Sequence, residues 1–152
     1  LNRFSLAEFP VIFSSLEAPQ AEDLCGLYRG YFVGSTWLRR LADPLLVITG
    51  MGHWLGKDFD PQGRVVNLVR TQDGIVRKLP MRNLEQDSLI DGCLGLALRY
   101  EASNPFPWPH VLDELRSLQE GFVLGMTIIQ LGPLTRLPLP FLLQPVESMY
   151  AF

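Results

Sequence analysis

The sequence predicts a mainly β protein, an antiparallel up-and-down β-barrel with one or two short helices. Three observations carry that prediction. Turn signals recur at fairly even intervals, at Pro61-Gln62-Gly63, Asp73-Gly74, Asp91-Gly92, Asn104-Pro105 and Glu120-Gly121. Between them lie RVVNLVRT, IVRKLPMRN, CLGLALRY and FVLGMTIIQL, rich in apolar and β-branched residues and too short for ordinary helices. In CLGLALRY the residues Leu94, Leu96, Leu98 and Tyr100 alternate with Cys93, Gly95, Ala97 and Arg99, a period of two with a bulky face and a mostly small one. FVLGMTIIQL is apolar on both faces, so a second layer must cover its outer side.

Taken in order, residues 1–25 contain FPVIFSSL and form an N-terminal covering segment. Strands are expected near 26–33, 53–59, 64–71, 75–82, 93–101 and 121–131. One more is expected between Asn83 and Ile90 or after Pro109. Ser35-Thr36 caps a short helix WLRRLAD that ends before Pro44. HVLDELRSL has Val111, Leu112, Leu115 and Leu118 at helical spacing, and also reads as a strand. Residues 133–152 include LPLPFLLQPV, whose Pro138, Pro140 and Pro145 argue for an extended apolar strap in place of a helix or central strand. The rival reading of this segment is a membrane-binding or partner-binding tail, with the apolar termini as a surface for a second copy of the chain.

The 152 residues make one domain with a sizeable core. A hydrophobic fraction of 47% against 19% charged residues excludes the disordered class. The net charge of -3 offers no broad electropositive footprint, which argues against nucleic acid as a partner. No stretch approaches the roughly 20 apolar residues of a membrane span, and no secretory leader is visible, so a cytoplasmic protein is expected. Cys25 and Cys93 stand in no metal or redox spacing and read as two free, buried thiols.

The opening of the first strand, GLYRGYFVG, carries a family resemblance. Gly26-Leu27-Tyr28 resembles the Gly-x-Trp of lipocalins and fatty-acid-binding proteins, and Gly26 to Gly30 resembles the motif of the GXWXG domain family, with Tyr28 for tryptophan in both. Trp54-Leu55-Gly56-Lys57-Asp58-Phe59 is similar to that family's Trp-Tyr-Gly-Lys-Arg-Phe. Val111 to Met126, with its Leu124-Gly125-Met126, is similar to the domain of unknown function that follows it. The family's His-Pro-Leu-Asp segment is replaced by Asp43-Pro44-Leu45, which lacks the histidine. The resemblance implies a lipocalin-like, or calycin, barrel that binds a small apolar molecule.

On that frame the expected function is uptake of a fatty-acid-like or other lipophilic ligand in the lumen. The alternatives are an isomerase- or cyclase-type enzyme in the same cavity and a filled barrel that serves as an interaction protein. The ligand-binding residues expected are Tyr28, Phe32, His53, Trp54, Lys57, Leu79, Leu96 and Met126. Lys57 either holds a carboxylate head group or is a solvated surface lysine. His53 is a base, a metal ligand or a structural residue, and no zinc-ligand spacing surrounds it. Asp58 and Asp60 could pair as carboxylates, but Asp60-Pro61-Gln62-Gly63 is better read as a turn. No catalytic residue, metal or cofactor is assigned, since no nucleophile elbow, phosphate loop or dinucleotide fingerprint is present. Gly30, Gly56, Gly95, Ala97 and Gly125 would leave lumen volume unfilled wherever they face inward.

Overall fold

A computed structural model describes residues 1–36, 39–40 and 46–152. Eight strands, β1 (Gly26–Phe32), β2 (Trp54–Phe59), β3 (Arg64–Thr71), β4 (Gly74–Asp87), β5 (Leu94–Tyr100), β6 (Val111–Ser117), β7 (Val123–Ile129) and β8 (Leu139–Val146), follow one another around a closed antiparallel barrel. The turn signals fall between strands as expected, and β4 runs on through Asn83 to Asp87 as one long element. HVLDELRSL resolves as the strand β6. Its apolar residues occupy both faces, which satisfies helical and strand spacing alike.

The C-terminal segment corrects the expectation of a strap, because β8 is an integral strand paired with both β1 and β7. Its prolines permit this by position. Pro140 pairs with Met126 of β7 beyond the end of the β1 ladder, and Pro145 pairs with Tyr28 of β1 beyond the end of the β7 ladder. Each lies where β8 has a single neighbour, so a missing N–H need not break a ladder bond.

Side chains alternate between two apolar layers. The lumen holds Tyr28, Phe59, Val65, Met81, Leu96, Leu98, Tyr100, Leu115, Val123, Phe141 and Leu143. The outer layer packs Leu124 and Met126 of β7 against Phe9 and Phe13 of the helix α1 (Phe9–Ser14). Pro10 sits in the first turn of that helix, where its missing N–H has no intrahelical partner to lose. Phe9 and Phe13 lie one turn apart on the buried face, and Val11 on the other side is exposed. Glu17 then accepts a bond from the Ser117 amide, which ties the segment to the end of β6.

Most of the capped helix expected over 37–43, and Asp43-Pro44-Leu45, lie outside the described residues. Cys25 and Cys93 are free but exposed, not buried, because both stand just outside strands. No helix among the described residues is long and apolar enough to cross a membrane.

Candidate functional site

Two bulges place the polar centre of the lumen. In β2 the register shifts between Trp54 and Gly56, so Trp54, Lys57 and Phe59 all contribute to the lumen although strict alternation would put Trp54 on the face opposite Lys57 and Phe59. Gly56 adopts φ 153°, and a Cβ there would overlap the Tyr28 carbonyl oxygen. Only glycine fits the bulge. Across the next pair the β3–β4 register shifts between Val65 and Asn67, and Leu79 takes φ 55°. That shift presents Met81 to the lumen opposite Val65, beside the Lys57 amine.

At the level set by these bulges Lys57 reaches across the barrel. Its Nζ lies 2.9 Å from Asp113 Oδ2 on β6, four strands away in a ring of eight, so the ion pair joins opposite walls. Nζ also donates to Asn67 Oδ1 at 3.0 Å and lies 3.5 Å from Met81 Sδ. Asn67 Oδ1 accepts a second bond from Trp54 Nε1 at 3.1 Å, and Asn67 Nδ2 donates to the Tyr100 hydroxyl at 3.3 Å. Thr127 Oγ1 donates to the other Asp113 oxygen at 2.6 Å. Trp54, Tyr100 and Phe141 face the ammonium at 5.6–5.8 Å from their ring centres. Lys57 and Asp113 are 2% exposed and Asn67 0%. Burial, and next the Asp113 charge, push the Tyr100 phenol well above its ordinary value, against a smaller opposing effect of the Asn67 bond. Tyr100 therefore remains a protonated donor throughout the physiological range.

The polar layer divides the lumen. On one side Leu24, Tyr28, Phe59, Val65, Leu115, Val123 and Leu143 are all buried. On the other, Val69, Trp108 and Val111 are buried too, while Phe32, Trp54, Val76 and Ile129 pack on the same core and stay partly exposed. At this end, termed the mouth, Trp108 donates from Nε1 to the Thr49 carbonyl at 2.9 Å.

Of the residues singled out from sequence, Tyr28, Phe32, Trp54, Lys57, Leu79 and Leu96 meet at the lumen. Tyr28 packs edge-to-face on Phe59 at 5.1 Å, with no arginine over it among the described residues. Two residues fall elsewhere. Met126 belongs to the outer layer under α1, because β7 turns Val123, Gly125 and Thr127 inward and Leu124, Met126 and Ile128 outward. His53 is exposed in the turn before β2 at φ 59°. No group of three or more metal-ligating side chains occurs among the described residues.

The small residues do not all leave space. A Cβ at Gly30 would overlap the Trp54 ring and one at Gly125 the Phe141 ring, so both glycines make room for aromatics that meet at 5.8 Å. Gly95 faces outward against the Arg116 guanidinium. Asn67, Tyr100, Asp113 and Thr127 were missed. Asn67 and Asp113 are polar residues among mostly apolar inward neighbours, a signal readable once each segment is taken as a strand.

A second buried polar cluster lies on the outer wall. Glu114 accepts from the Ser88 hydroxyl and, at 2.7 Å, from the Leu89 amide. Arg116 pairs with Asp91 at 3.1 Å and lies 4.4 Å over the Phe13 ring. Burial raises the Asp91 carboxyl, but the Cys93 amide, Arg116 and Ser88 together hold it below its ordinary value. An open groove of about 410 Å³ runs where the outer face meets the rim at Phe32, lined by residues that include Tyr31, Arg39, Leu142 and Gln144.

No family model matches the chain, and no curated protein matches it. Among solved structures the chain is similar to a protein from Thermomonospora curvata, with 22% identity, a TM-score of 0.73, and coverage of 95% of this chain and 90% of that one. That likeness is one of fold.

Proposed function

We propose that this barrel belongs with the calycin-type binding proteins its first two strands resemble, and that it takes up a small lipophilic molecule through the mouth of the lumen. The observation that supports this best is the cross-lumen Lys57–Asp113 layer. A buried ion pair is weak support for stability, and apolar side chains of similar volume serve a core as well or better. A charged, hydrogen-bonded layer beneath half-buried aromatic and aliphatic side chains fits a floor that orients a ligand's polar end.

The test is fluorescence titration with the neutral probe Nile red, read by probe emission and by quenching of tryptophan emission. Micromolar binding is expected. Ile129→Trp, which fills the mouth, is expected to abolish it without unfolding the barrel. Loss of binding in Leu142→Asp, with Ile129→Trp unaffected, would move the site to the outer groove. Absence of probe binding would favour the filled barrel that acts as an interaction protein.

A further inference from the structure

The polar floor has unspent donors but no unspent charge. A lysine ammonium has three donors. Two go to Asp113 and Asn67, and the third meets only the Met81 thioether at 3.5 Å, a weak acceptor. Tyr100 accepts a bond from Asn67, while its own O–H meets no acceptor among the described residues. Both oxygens of Asp113 are engaged, and its charge balances that of Lys57. An anionic head would add a third charge, uncompensated, to a buried site already holding a carboxylate. A cationic head would meet the Lys57 ammonium. An uncharged oxygen acceptor would add no charge and would give the two spare donors a partner. Met81 is the group that would yield, since its unbranched thioether side chain repacks easily.

We infer that the floor receives an uncharged hydrogen-bond acceptor, an ester, ketone or amide carbonyl at the end of a lipophilic chain, between the Lys57 ammonium and the Tyr100 hydroxyl; this rests on the lumen-binding function proposed above. It departs from the fatty-acid carboxylate expected for an unpaired lysine, because Asp113 already neutralises Lys57.

The experiment is displacement of Nile red at neutral pH by three matched chains: methyl laurate, lauric acid and dodecane. Methyl laurate is expected to bind about tenfold tighter than either of the others, the effect of one hydrogen bond to a charged donor. Tyr100→Phe should shrink the ester-to-hydrocarbon ratio while leaving dodecane affinity unchanged, a pattern that loss of packing alone would not produce. Asp113→Asn should reverse the preference toward laurate by leaving Lys57 uncompensated, and Tyr100→Phe carries the test if that variant does not fold. Laurate binding as tightly as the ester on the native chain, or an unchanged ratio in Tyr100→Phe, overturns the inference and leaves lumen binding standing. Failure of Nile red itself to bind overturns both.

Discussion

The closed end of the barrel and its mouth are built from the same eight strands, yet they are sealed in different ways. At the closed end Leu24 folds in ahead of β1, and Tyr28, Phe59 and Val65 interlock beneath it with little exposed surface. At the mouth Phe32 and Trp54 pack at 5.1 Å but are only half-buried. The comparison shows a division of labour along one axis. One end is core throughout, and the other mixes buried side chains such as Val69 and Val111 with half-buried Phe32 and Trp54.

The largest expected difference lies in a matched pair of phenylalanines. Phe59→Ala at the closed end should cost about 3–5 kcal/mol, whereas Phe32→Ala should cost roughly half of that or less, since less of its ring leaves water on folding. Urea denaturation of both variants checks this, and equal losses would remove the distinction between the ends.

The boundary between the ends is tested next. Asp113→Leu leaves the buried Lys57 charge unpaired and should cost about 3–5 kcal/mol. The double variant Lys57→Met with Asp113→Leu should recover most of that loss. If the double variant were as unstable as the single one, the ion pair would be essential to the fold and the argument for a functional floor would weaken.

The smallest effect is in alkali. Burial, followed by Cys25 and Asp23, raises the Tyr28 phenol, and Tyr100 is raised further. Above an unfolded tyrosine value of about 10 the unfolded chain releases these protons and the folded chain retains them. The unfolded state then binds fewer protons, so stability is fully present below about pH 10 and falls as pH rises beyond it. Tyr100→Phe should flatten that fall more than Tyr28→Phe, as measured by melting temperature across the alkaline range.

The fold was legible because turns punctuate the chain and strands such as β5 alternate cleanly. β8 was misread because proline chemistry excludes a central ladder but says nothing of where neighbouring strands end. The site was half legible. Trp54 and Lys57 stood out as a motif, although their shared orientation depends on a bulge that spacing alone does not reveal. Asp113 sat in a segment whose helical spacing hid its inward position, and Met126 was turned inward on paper because β7 is apolar on both faces. Pairing across the lumen is a long-range relation, and a one-dimensional pattern carries only its endpoints.

The seam between β1 and β8 also bears on the order of events during folding. Tyr31 donates to Gln144 across 113 positions of chain, so the ring closes through one of its most distant contacts. Until β8 has left the ribosome the earlier strands can form only a curled sheet with two bare edges, the kind of edge that recruits a second chain. The last strand arrives with prolines at both of its overhangs, Pro140 and Pro145, which make it a poor template for pairing with anything longer than the gap it fills. The residues that misled a linear reading of the sequence thus act as gatekeepers while the barrel is still open.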